Sequence, residues 1–306
     1  MTIIFNYCRS YFLNSFRTGY FIIIVLLLSG FIYLNYYQPE TFSLFFSGSS
    51  WFQKFIGSYL LYLIPFSIAF LLQLFFYKTP YFKDPWLWIV VLLGPAFFAL
   101  RVQFDLQVTL IRKWVPGIHL SLLQCINWIV RAFLLLFLIY IAWYIREKGK
   151  ESFYGSKALN NTKPYLILLI CLVPLVLLAG RQVDFLNVYP RVNALTTIQS
   201  PLKYLWIFLF ELCYGFDFIS IEFFFRGFLI VGLTRVCGMQ CIIPAACFYC
   251  CIHFGKPMTE AISSFFGGII LGILSYHTKS IWGGLIVHVG VAWLMEVAGF
   301  IGHYFY

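Results

Sequence analysis

The chain has 306 residues, of which 62% are hydrophobic and 22% aromatic, while only 10% are charged. Water-soluble domains carry about a quarter charged residues, so this composition excludes an ordinary soluble enzyme, and its bulky apolar content excludes a disordered or collagen-like chain. The net charge of +10 does not point to nucleic acid, because the basic residues flank apolar runs instead of forming one stripe.

The mean hydropathy is +0.87. At about 20 apolar residues per span, the length allows roughly seven to nine transmembrane helices, and the expectation is an all-α, polytopic transmembrane helical bundle of about eight spans. No cleavable signal peptide is evident: Arg9 and Arg17 precede an apolar run from Tyr20 to Tyr36 that lacks a small-residue cleavage site and ends in two interfacial tyrosines. This run is expected to stay as the first span. A second span, about Phe55 to Tyr77, contains Pro65 and is followed by Lys78 and Lys83, and a third runs from about Trp86 to Leu100. The stretch Arg101 to Pro116 is polar enough to lie on the outer surface. The fourth span, about His119 to Tyr144, is interrupted by Arg131. Arg146, Lys148, Lys150, Lys157 and Lys163 then form the densest basic cluster, in a loop that the positive-inside rule puts in the cytoplasm with the N-terminus. Membrane lipids, including anionic headgroups at this loop, are the expected partners.

The fifth span begins at Pro164 and ends near Gly180, and a polar loop holding Asp184, Asn187, Arg191 and Asn193 follows. From Leu202 the character changes. The apolar runs now carry Glu211, Asp217, Glu222, Arg226, His253, Glu260, His288 and Glu296, so the chain divides into an N-terminal helical region, 1–200, and a C-terminal region, 201–306, that holds the chemistry. An ionisable residue at membrane depth costs about 2.5 to 3.5 kcal/mol on insertion scales. Such groups must therefore face one another or a wet cavity.

Glu222 and Arg226 stand at i, i+4, a spacing that pairs them on one helix face. His253 ends an apolar helix just before Gly255 and Pro257, with Glu260 after the break, while His288 sits mid-span with Glu296 two turns on. A carboxylate with two imidazoles can activate water and stabilise an oxyanion in amide hydrolysis. The same Glu222, His253 and His288 could instead ligate a divalent metal such as zinc, and spacing does not decide between the two. No H-E-x-x-H is present. Ser264, Gly268 and Gly272 form a small-residue ladder suited to close helix packing. Most of the nine cysteines, including the C-x-x-C of Cys247 and Cys250, lie in apolar runs and read as small core residues.

These residues resemble the motifs of the CPBP family, the CAAX-protease and bacteriocin-processing intramembrane endopeptidases. The family's E-E-x-x-x-R is here Ile221-Glu222-x-x-x-Arg226, its F-x-x-x-H is Tyr249-x-x-x-His253, and its H-x-x-x-N/D is His288-x-x-x-Ala292. The resemblance covers about 202–300. It implies an intramembrane endopeptidase that hydrolyses a membrane-associated, possibly lipidated, protein or peptide, with Glu222, Arg226, His253 and His288 in the catalytic site; no cofactor is expected, with a divalent metal such as zinc as the alternative. Two family positions differ. The first motif Glu, assigned in the family to water activation, is Ile221, and the last motif Asn or Asp, assigned to the oxyanion, is Ala292. Glu260 and Glu296 are accessory candidates for the missing carboxylate. A fold-retaining binding or scaffold protein is the alternative, and a small-solute transporter a more distant one, since the charges occupy only one half of the chain. The absence of organelle-targeting extensions favours a bacterial inner membrane.

Overall fold

The computed structural model describes residues 2–46, 48, 50–149, 152–196 and 200–305. Its helices, in chain order, are α1 (Thr2–Asn14), α2 (Thr18–Tyr37), α3 (Pro39–Phe46), α4 (Trp51–Leu72), α5 (Pro85–Gln103), α6 (Leu106–Trp114), α7 (Leu120–Arg146) and α8 (Lys163–Ala179), then the short α9 (Val183–Leu186) and α10 (Asn193–Thr196). The C-terminal region adds α11 (Lys203–Glu222), a π-helical stretch Phe223–Val231, α12 (Thr234–Cys237), α13 (Ile242–Cys251), α14 (Met258–Thr278) and α15 (Trp282–Phe305). Among the described residues, seven helical stretches are long and apolar enough to cross a membrane, and α8 is a shorter apolar helix. The protein is an integral, multi-pass membrane protein built as an all-α bundle.

Helix ends follow local chemistry. Ser50 and Gln53 form a capping box on α4, and Asp84 caps α5 through the Trp86 N–H at 2.8 Å, with Pro85 in the first turn. Asp184 accepts the Met258 N–H at 3.1 Å, at the start of α14. The loop after α7 is sewn to the start of α15: Ile281 N–H donates to Gly155 O at 3.0 Å, and Ser280 Oγ to Lys157 O at 2.7 Å. Gly155 has φ +70° and lies against the Ile281 side chain, so a β-carbon would be strained and blocked there. Lys150, a member of the basic cluster, lies outside the described residues.

The main core joins both regions. Tyr62, Phe66 and Phe98 of α4 and α5 stack around Phe248 of α13, which also meets Phe224 and Phe225 of the π-helical stretch. Gly268 and Gly272 let α14 approach Ala246, Ile242 and Ile230 closely, as the small-residue ladder implies. The nine cysteines are unpaired, and Cys247 and Cys250 are packed in the core.

The structure corrects the reading of Arg101 as the start of a surface stretch. Arg101 is buried and pairs with Asp217 of α11 at 2.5 Å, while the surface helix begins later, at Leu106. Taking both charges out of lipid requires this partner. Arg131, the charge inside the fourth span, donates to Phe104 O at 3.2 Å.

Candidate active site

The helix bearing Glu222 changes register at the motif. Regular α-helix stops at Glu222, and Phe223–Val231 continues as π-helix, with Gly232 N–H donating to Gly227 O at 2.9 Å, five residues back. Tyr154 lies against this widened segment, close to Gly227 and Gly232. Such π segments concentrate at functional sites because they re-aim side chains. Sequence spacing alone suggests an unbroken α-helix here.

Glu222 is fully buried, and Arg226 nearly so. Glu222 Oε1 lies 3.2 Å from Arg226 Nη1 and 2.9 Å from His288 Nδ1 of α15. One oxygen thus faces both partners, while Oε2 has no hydrogen bond and points at Gly284. A β-carbon at position 284 would collide with Oε2, so the absence of a side chain there lets α15 close over the carboxylate. The Arg226 ion pair lacks hydrogen-bond alignment: Nε, Nη1 and Nη2 are all buried without a hydrogen-bond partner. Its guanidinium instead lies over the Tyr249 ring, 4.4 Å from the centroid.

Tyr249 is the hub that the motif reading left as a mere aromatic. Its hydroxyl is 3.0 Å from His288 Nε2, and its ring meets both His253 and His288 edge-on. The Tyr249 carbonyl accepts from His253 Nδ1 at 2.8 Å. A carbonyl can only accept, so Nδ1 carries the proton and Nε2 of neutral His253 presents a lone pair. That Nε2 faces Glu260 Oε1 across 3.8 Å. Burial pushes the His253 imidazole down to about 3, with Lys256 adding to the effect, so it is neutral around pH 7. Glu260 is fixed by Lys256 Nζ at 2.7 Å and by the Tyr189 hydroxyl at 3.0 Å.

Three motif residues, Glu222, His253 and His288, together with Glu260 therefore form two carboxylate–histidine pairs, Glu222–His288 and Glu260–His253, joined through Tyr249. Residues 200–294 match the family model described as Rce1-like, type II CAAX prenyl endopeptidase Rce1-like. The similarity to this family is confined to that region. No curated protein and no solved structure matches the chain.

The other sequence candidates separate clearly. Within the matched residues, Ile221 and Ala292 are both packed into the apolar core. Glu296 turns away from the histidines and accepts the backbone N–H groups of Arg191 and Val192 at 3.1 and 3.2 Å. Glu296 thus pins the connection between α9 and α10. Among the described residues, no three His, Cys, Asp or Glu side chains converge as a metal-ligand set. In this structure the His288 nitrogens face Glu222 and Tyr249. Tyr189 and Lys256 complete the surroundings of Glu260, and no motif spacing indicates them.

Proposed function

We propose that the protein is an intramembrane endopeptidase of the CPBP type, cleaving a membrane-associated protein or peptide, with lipidated substrates included in its class. The observation that carries this reading is the 3.8 Å gap between the His253 Nε2 lone pair and Glu260 Oε1. Two buried acceptors just beyond hydrogen-bond distance form a seat for one water. His253 takes a proton as that water attacks the scissile carbonyl, and Glu260 holds the water and offsets the imidazolium charge. The same proton then passes to the leaving amine, so peptide and water give acid and amine with His253 restored. Glu260 thereby supplies the carboxylate that Ile221 cannot.

The oxyanion side rests on Tyr249 and Arg226. The unpartnered guanidinium N–H groups of Arg226 are the donors available there, and the Tyr249 hydroxyl, which gives its proton to His288 Nε2 in this structure, can donate to the oxyanion by turning from that nitrogen. Glu222 and His288 hold Tyr249 in place. The basic loop after α7 supports an orientation with the N-terminus on the cytoplasmic side.

The test is peptide cleavage by detergent-purified protein, using prenylated and unprenylated peptides. The wild type should turn over, and His253→Ala and Glu260→Gln should each lose about 10²-fold or more in kcat. Equal rates for all three would refute the assignment. One observation favours a second reading, a binding protein without catalysis: Ile221 and Ala292 leave two motif positions apolar. Steady turnover by the wild type would defeat it.

A further inference from the structure

Two cavities lie near the helix ends on one side of the bundle, and their charges differ. The smaller, about 150 Å³, is lined by Asp84, Arg146, Glu147 and Arg235 among others. Its cations are balanced internally: Arg235 lies 3.5 Å from Glu147, and Arg146 lies 4.0 Å from both Asp84 and Glu147. The larger, about 520 Å³, is lined by Asn14, Arg17, Phe75, Phe76, Tyr77, Lys78 and Gln240. It holds two cations and no carboxylate. The nearest contacts of the Arg17 guanidinium are its neighbour's carbonyl, Phe16 O at 3.4 Å, and the Tyr77 ring at 5.9 Å.

The position of this cavity identifies the anion it suits. It sits where α2 begins and the Trp51–Phe75 span ends, so it lies at the level where two membrane spans leave the hydrocarbon. No side chain caps the start of α2, and the positive end of that helix adds to the two cations. Beside the cavity the surface is apolar and open: Phe75 is 80% exposed, and Leu74, Ile22 and Leu26 are exposed too. A ligand with a phosphate at the headgroup level and acyl chains along α2 and α4 satisfies both surfaces. We infer that this cavity binds the phosphate of an anionic phospholipid. Asn14 and Gln240 supply side-chain amides that can donate to the phosphate oxygens.

The experiment measures lipid binding to the full chain with phosphatidic acid or phosphatidylglycerol in phosphatidylcholine nanodiscs, read by native mass spectrometry and thermal shift. Anionic lipid should bind and raise the Tm, phosphatidylcholine alone should not, and millimolar inorganic phosphate should leave the Tm unchanged. The double variant Arg17→Gln/Lys78→Gln should weaken anionic-lipid binding by about 25-fold, at about 5-fold per cation near a charged headgroup. Lys83→Gln, an exposed cation at the same end but outside the cavity, should leave it within 2-fold. Unchanged binding by the double variant, or an equal loss in Lys83→Gln, would overturn the site. A full Tm shift from inorganic phosphate alone would overturn the lipid assignment. A double variant whose Tm without lipid equals that of the wild type shows that folding is not the cause.

Discussion

The two carboxylate–histidine pairs use the same residue types to opposite effect. Glu222 and His288 are in direct contact at 2.9 Å, enclosed by Arg226 and by the close approach of α15 at Gly284. His253 and Glu260 come from the junction of α13 and α14 and stand 3.8 Å apart. The first pair is in contact and closed over by α15, with Glu222 Oε2 and the Arg226 N–H groups left without hydrogen-bond partners. In the second, a carbonyl holds His253, Tyr189 donates to Glu260 Oε2, and Lys256 donates to the same Oε1 that faces His253 Nε2 across the gap. Tight contact suits a group that positions others, and a fixed gap suits one that holds water.

The comparison is broken most strongly by removing one charge from the closed pair. Arg226→Met leaves the Glu222 carboxylate buried without its cation, and the loss of stability should be about 3–5 kcal/mol. The measurement is the unfolding midpoint in detergent. Glu260→Gln should behave the other way, with nearly native stability and a fall of about 10²-fold or more in cleavage. If Arg226→Met is thermally neutral, the closed pair is not the structural member.

Tyr249→Phe tests the link between the pairs. The ring stays, so the packing around Phe225 and Arg226 is kept, and only the hydroxyl contact with His288 is lost. The expected cost is about 0.5–1.5 kcal/mol in stability. Activity should fall about 10²-fold through kcat, as for removal of one oxyanion donor, with KM little changed. A change confined to KM would place the hydroxyl in substrate binding instead.

Much of this arrangement was legible in the sequence, because membrane depth makes charge costly. Glu222, Arg226, His253 and His288 stood out as ionisable residues in apolar runs, and the same argument anticipated partners for them. The break at Gly255 and Pro257 is visible in the sequence, and it lets the segment that carries Glu260 fold back on His253. What sequence could not give depends on contacts between distant segments. The Arg101–Asp217 pair joins residues 116 positions apart. Tyr189, which fixes Glu260, comes from a polar loop that carries no motif. The π-helical stretch keeps a helix-like apolar pattern, so its departure from α geometry leaves no periodic trace. Tyr249 was visible only as an aromatic in a motif where the family has Phe, and its added hydroxyl gains meaning only when His288 of another helix is placed 3.0 Å away.

The smallest expected effect concerns the proton on His253. Its folded value is lowered to about 3 from an ordinary 6.5, chiefly by burial. The unfolded chain therefore binds this proton more readily than the folded one, and the stability linked to neutral His253 is present above about pH 6.5 and declines as pH falls towards 3. At pH 5.5, one unit below the unfolded value, the loss from this group should be about 1.4 kcal/mol. The measurement is the unfolding midpoint from pH 7.5 to 5.5 for the wild type and for His253→Gln, whose amide does not titrate in that range. The difference between the two should shrink as pH falls. Over the same range the folded wild type should keep its cleavage rate, because His253 stays neutral in the fold and its Nε2 remains able to take a proton. A rate that collapses near pH 6.5 while the fold persists would mean that His253 is in contact with water far more than its position against Tyr249 allows, and the closed surroundings of the gap would have to be abandoned.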